Sequence, residues 1–254
     1  MGQGGLNRVA GGDTHPWTQG TAEQAPPHRP RPQRKGPTRP SEPGTYSGPM
    51  TEPIIVARDV GVELGGTPVL SGVHLTVAPG EVVAVLGANG AGKTTLLRCL
   101  AGLQHTEGHV HVLGRPPVDA PDFWREVVLV GDEPTWYPGL TVREHLELMR
   151  AVHGPGRMEA REALELFELD GCADRAPSSL STGQRQRLSL AMALLRPSRL
   201  LLLDEPERGL DAAFRERLAG LLSAYADDGG TVVMVTHDPR FAENTRHVSL
   251  EAAA

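Results

Sequence analysis

Cysteine is scarce, two residues in 254. Cys99 and Cys172 stand alone with no CxxC spacing, so neither a disulfide framework nor a zinc knuckle is readable. No apolar run approaches the roughly 20 residues needed to cross a bilayer, and the start of the chain lacks the apolar stretch of a secretory signal. A soluble, cytoplasmic protein is the expectation. A basic surface is missing too. Six of the 25 basic and three of the 31 acidic residues lie in 1–49, which leaves residues 50–254 with 19 against 28, a net of −9. Binding to nucleic acid needs a basic stripe that neutralises phosphates, so no nucleic-acid partner is expected. Lysine is nearly absent: Lys35 and Lys93 stand against 23 arginines.

Hydrophobic residues make up 39% of the chain, a little low for a globular protein, and the deficit is local. Residues 1–49 hold 18 of the 52 Gly and Pro and almost no large aliphatic side chains. Within them APPHRPRPQRKGPTRPSEPG (25–44) is basic and proline-rich; proline removes backbone donors and favours polyproline II, so no packed core forms. A disordered tail is expected there. It could be read-through of non-coding sequence upstream of a true start at Met50, a partner-docking tail, or an unspecific linker. The first is preferred.

From Met50 the pattern alternates between strand and helix. Residues 54–64 and 69–77 suggest two early strands, and Val82–Leu86 is a short continuous apolar run suited to a strand buried on both faces. It leads into a Gly-rich turn and a helix near 92–102. Apolar strands follow at Val127–Val130, Leu200–Leu203 and Thr231–Val235, with helical patterns between. Such alternation predicts a parallel sheet with crossover helices. Residues 141–195 carry three helical segments and no clear strand, which predicts a helical insertion, bounded at about 136–195.

The turn at 87–95 reads GANGAGKTT and fits G-x-x-x-x-G-K-[ST] through Gly87, Gly92, Lys93 and Thr94. Glycines let backbone N–H groups turn inward around a polyphosphate, and the following helix offers its positive end. Lys93 supplies a compact charge to the β- and γ-phosphates, and the Thr94 hydroxyl suits Mg²⁺. A Gly-rich strand-to-helix turn without a ligand is the bland alternative. Against it, one of the two lysines fills the one slot that calls for lysine. Leu96, Leu97 and Leu100 give the helix its core face, and Cys99 suits packing better than redox chemistry.

Leu200–Leu203 runs into Asp204 and Glu205. Ligands in parallel α/β sheets bind at the carboxyl ends of strands, so both acids should face the phosphate loop. Asp204 suits the Mg²⁺ shell, and Glu205 suits polarising a water for in-line attack on the γ-phosphate. The strand at 231–235 ends in Thr236-His237-Asp238, which gives His237 the same placement and a γ-phosphate contact. His105, His109 and His111 superficially resemble metal ligands, but no third and fourth ligand follow for the pair on one strand face. Ser181-x-x-Gln184 is a capping box before an amphipathic helix, and a helix N-terminus with Ser and Gly is also an anion site.

With these residues in place, the chain over about 51–249 resembles the ATP-binding subunit of ABC transporters. GANGAGKTT (87–95) looks like Walker A, LSTGQ (180–184) like the signature and LLLLDEP (200–206) like Walker B. GLD (209–211) is similar to the D-loop, and His237 to the switch histidine. The resemblance implies an α/β P-loop NTPase core of ABC type over 50–254, with a small antiparallel β subdomain beside the helical insertion. It implies ATP and Mg²⁺, with Asn89, Gly90 and Thr95 completing the phosphate loop and Asp211 near the nucleotide. It further implies a head-to-tail pairing with a second ATP-binding subunit, identical or not, so that Ser181, Gly183 and Gln184 of one subunit close on the nucleotide held by Lys93 of the other. A transmembrane permease would be the other partner, docked on roughly 132–180, and would hold the chain at the inner face of the cell membrane.

Three positions depart from the family's pattern. Asp132 stands where Gln usually contacts Mg²⁺ and the transport subunit. Leu64 stands where an aromatic side chain usually stacks on adenine, and Thr182 replaces a commoner Gly in the signature. The compact form and YPGLTVREHL (137–146) look more like export-type systems than binding-protein importers. The expected function is ATP hydrolysis that energises transport through a separate permease. Its rivals are a non-transport ABC ATPase, and a binding-only subunit paired with a catalytic one. A chain begun at Met50 should match the full chain in melting temperature and ATP turnover, because residues 1–49 offer too little apolar surface to dock. A clear loss of either would mark the tail as functional.

Overall fold

The computed structural model describes residues 52–131 and 136–253, all within one unit. Two sheets organise it. Strands β1 (Ile55–Leu64), β2 (Thr67–Val77) and β4 (Glu107–Val112) form an antiparallel sheet in the order β2-β1-β4. The other sheet is parallel, in the order β5-β6-β7-β3-β8, from β3 (Val82–Leu86), β5 (Val127–Val130), β6 (Leu200–Asp204), β7 (Thr231–Thr236) and β8 (Arg246–Ser249). The helices are α1 (Lys93–Leu100), α2 (Pro121–Glu126), α3 (Val142–His153), α4 (Ala160–Leu166), α5 (Thr182–Leu195) and α6 (Ala212–Asp227).

Alternation along the central strands explains the layers. Successive side chains of a strand point to opposite faces, so Leu201, Leu203, Val232 and Met234 enter one core with α3, α4, α5 and α6. Leu200, Leu202, Val233, Val235, Val83 and Val85 enter a second core with α1 and the antiparallel sheet. Both faces are covered, which is why these strands are continuous apolar runs. The apolar strands lie where the sequence predicts them, and residues 142–195 contain three α-helices. Their pattern hides α2 and β8. Helix α2 has six residues and one buried side chain, Phe123. Strand β8, RHVS, is an edge strand with a mostly exposed face and no apolar run.

The strand bearing His109 and His111 also follows expectation. In β4 the histidines face solvent and Val110 and Val112 face the core. No cluster of three or more His, Cys, Asp or Glu suited to a metal occurs among the described residues. Cys99 packs in the α1 core, where burial pushes its thiol up to about 11, as befits an inert side chain. No helix among the described residues is long and apolar enough to cross a membrane.

Phe214 of α6 joins the helical layer together. Its ring lies 6.0 Å from that of Phe167, just past α4, and the Arg187 guanidinium of α5 sits over it, 4.0 Å from the ring centre. Phe214→Ala should lower the unfolding free energy by about 3–5 kcal/mol, read from the urea midpoint; a loss below about 1 kcal/mol would mean that the layer repacks.

Candidate nucleotide site

Sheet register assembles the site. In the β6-β7-β3 ladder Asp204 pairs with Val235, and Thr236 pairs with Leu86. The carboxyl ends of three neighbouring strands therefore stop level. The phosphate loop leaves β3, the two acids leave β6, and His237 follows β7 between them. A cleft of about 400 Å³ opens there, lined by Val69, Asn89, Gly90, Gly92, Lys93, Thr94, Thr95, Asp204 and Glu205.

The loop is built on backbone that tolerates no Cβ at its last turn. Gly92 has φ +86°, and a Cβ there would lie 2.6 Å from Leu70 and 2.8 Å from the Val69 carbonyl. Glycine lets the loop approach β2 while turning into α1. Lys93, 7% exposed, donates from Nζ to the carbonyls of Gly87 (2.8 Å) and Ala88 (3.0 Å), so its ammonium is fixed inside the loop's curve. Buried charge is tolerated when its donors are satisfied. With the loop amides around it, the cleft suits a polyphosphate. Asp204 is buried and Thr94 exposed on the same cleft. A carboxylate and a hydroxyl are hard oxygen donors, the set that fits Mg²⁺.

Glu205 takes φ +46°, a left-handed conformation that is rare outside glycine and concentrates at functional positions. Its N–H still donates to Val235 O at 2.9 Å, which anchors the strained residue to β7. The turn aims its carboxylate at His237, with 3.0 Å between Oε1 and the ring Nδ1. Acid and imidazole, distant in sequence, share one hydrogen bond.

Ser181, Gly183 and Gln184 do not line this cleft. The capping box is present as the spacing predicts: Gln184 N donates to Ser181 Oγ at 3.2 Å, and Ser181 N to Gln184 Oε1 at 3.0 Å. Ser181 is exposed at the start of α5. Gly183 packs so closely on the loop before α6 that a Cβ would lie 2.6 Å from Gly209 O. Asp211 caps α6 through Phe214 N (2.9 Å), the bond that most lowers its carboxyl below the usual range. Its other oxygen takes Arg187 at 2.7 Å. Arg187 also pairs with Glu168, which locks α5, the segment just past α4 and the loop at 209–211 together. An arginine amid a polar run gave no sign of this role; only the packing supplies it.

The profile of the ABC transporter family matches residues 70–208. The chain belongs to that family. It is 44% identical over 183 residues to an Fe(3+) ions import ATP-binding protein of Streptomyces avermitilis, covering 70% of this chain and 53% of that one. It thus spans about half the length of that relative. Identity is 37% over 179 residues to the SkfA peptide export ATP-binding protein of Bacillus subtilis (68% and 74% covered). It is 36% over 198 residues to a cytochrome c biogenesis ATP-binding export protein of Cupriavidus metallidurans (76% and 94%). Among solved structures, an ATP-binding subunit of an ABC transporter aligns with TM-score 0.70 at 28% identity, over 79% of this chain and 88% of that chain. A dimeric ATP-binding cassette in a post-hydrolysis state with ADP and Pi aligns with TM-score 0.69 at 29% identity, over 79% and 97%. The fold is that of an ABC-type ATPase, with its antiparallel and parallel sheets.

Two of the family's departures meet different fates. Asp132 lies outside the described residues. Leu64 ends β1 with 47% of its surface exposed, and the aliphatic wall of the cleft is Val69 on β2, a residue that carried no signal in the sequence. An aromatic ring stacked on a base gains roughly 1–3 kcal/mol in nucleic-acid complexes, which neither side chain offers. Phosphate contacts are blind to the base. Modest ATP affinity with poor discrimination against GTP is therefore expected, and Leu64→Tyr should tighten ATP by about tenfold for each 1.4 kcal/mol recovered. Titration of both proteins with ATP and GTP checks this. No gain in the variant, with strong ATP preference in the wild type, would put adenine elsewhere.

Proposed function

We propose that this chain is a Mg²⁺-dependent ATPase subunit that powers an export-type permease. It would act as half of a dimer, peripheral to the inner face of the cell membrane. The observation that carries the reading is the convergence of Lys93, Thr94, Asp204 and Glu205 on one cleft, with His237 bonded to Glu205. Lys93 and the loop amides of Asn89, Gly90, Gly92, Thr94 and Thr95 would bind the polyphosphate. Thr94 and Asp204 would hold Mg²⁺, with Asp132 as a further ligand; bound there, the ion supplies charge neutralisation on the phosphates.

Glu205 would accept a proton from the attacking water, and His237 would hold that carboxylate in place while reaching toward the γ-phosphate. The exposed Ser181, apart from the cleft of its own chain, supports pairing across a dimer, as does the dimeric cassette among the similar structures. There Ser181, Gly183 and Gln184 would meet the partner subunit's nucleotide. Asp211, bound to α5 through Arg187, would move with them. The YPGLTVREHL stretch supports the direction of transport, while the relatives include both import and export proteins. Recovery of a membrane-spanning protein with the chain from solubilised membranes is the expected sign of the permease.

Glu205→Gln tests the chemistry. The amide keeps the shape but cannot take the proton. The variant should bind Mg·ATP, turn it over at least about a hundredfold more slowly, and run as a dimer in gel filtration with ATP. Near-normal turnover would remove Glu205 from the mechanism.

A further inference from the structure

The turn after β6 holds a carboxyl that this scheme leaves idle. Glu207 is 2% exposed. Its Oε1 accepts a hydrogen bond from Thr236 Oγ1, and its Oε2 is buried with no partner among the described residues. Burial pushes the carboxyl above its usual range, against the pull of the Thr236 bond. A carboxyl in so dry a place is a burden on stability unless its position serves something.

Its connections show what that is. Thr236 is wholly buried, and its Oγ1 also accepts the N–H of Asp238 at 2.9 Å. Glu207, Thr236 and Asp238 thus form a chain that straddles His237 on both sides of its backbone. The other end of the chain is equally fixed. Glu207 O accepts Leu210 N at 3.2 Å, and the neighbouring Pro206 O accepts Gln186 Nε2 of α5 at 3.1 Å. Besides the backbone bond from Glu205 to Val235, the segment that presents the histidine is therefore tied by this carboxyl to the turn that presents Glu205 and, through that turn, to the helix that begins at the capping box. The ring itself is 56% exposed and has little packing of its own to hold it.

We propose that Glu207 is a positioning residue, which acts through Thr236 to set His237 against Glu205. The proposal rests on the reading of Glu205 and His237 as the hydrolytic pair. It differs from a merely structural role because its effect must pass through the histidine.

Glu207→Met fills the buried volume and removes the acceptor; Glu207→Gln keeps an acceptor oxygen. A displaced catalytic group costs roughly ten- to a hundredfold in rate, and that loss in kcat is expected for Glu207→Met, with KM changed less than about twofold. Glu207→Gln should restore most of the rate. In a His237→Ala background, Glu207→Met should cause no further loss.

Nitrogen-detected NMR of the histidine rings, with the His237 signal assigned by its disappearance in His237→Ala, gives a readout apart from turnover. The signal should move in Glu207→Met and return in Glu207→Gln. Should Glu207→Met not fold, Glu207→Leu, which also removes the acceptor and leaves the Thr236–Asp238 bond intact, carries the same expectations. An unmoved His237 signal, or losses that simply add in the His237→Ala background, would overturn the proposal. A wild-type chain without ATP turnover would instead defeat the hydrolytic reading, while the ring signal would still decide whether Glu207 holds the histidine.

Discussion

The hydrogen-bond ladder that runs through β6, β7 and β3 is the constraint on which the rest of the molecule depends. It brings three strand ends level, so that a lysine and two acids meet in one cleft and a histidine bonds one of those acids. A slip of one residue would turn every side chain to the opposite face. Register and core packing are thus one problem: Leu200 and Leu202 must enter one core while Leu201 and Leu203 enter the other. A strand with both faces buried resists slipping in a way that a solvated strand does not.

Around that ladder the charged groups divide by the means that hold them. Lys93 is fixed by carbonyls of its own loop, and Glu205 by a left-handed turn and one backbone bond to β7. The second group of candidate residues, at the start of α5 and before α6, is held by different contacts. There Gly183 lies against Gly209, and Arg187 bridges to Asp211. These contacts make the two segments a single surface. Its separation from the phosphate cleft of the same chain agrees with the proposed completion of the site by a second subunit.

Some of this was open to inspection before any fold was known. The phosphate loop, the acids after four leucines and the capping box are local features, and local features survive in the order of residues. A glycine-rich turn after an apolar run, or Ser three residues before Gln, states its geometry through sterics and hydrogen bonding over a few bonds. Glu207 is the contrary case. Its letter, one more acid after Pro206, suggested nothing, and its meaning comes from Thr236, 29 positions away. Val69 and Arg187 are of the same kind.

Residue order alone shows that strands and helices alternate, that a phosphate loop follows one buried strand, and that acids and a histidine follow two others. Periodicity and turn chemistry are short-range, so they are written in adjacent residues. The folded chain sets the strand order, which places β7 between β6 and β3 and hence His237 beside Glu205. It alone decided that Leu64 is exposed while Val69 walls the cleft, and that Glu207 is buried against Thr236. Strand order and burial arise from contacts between segments far apart in the chain. They express how two cores share one sheet, a matter on which no stretch of neighbouring residues has a preference.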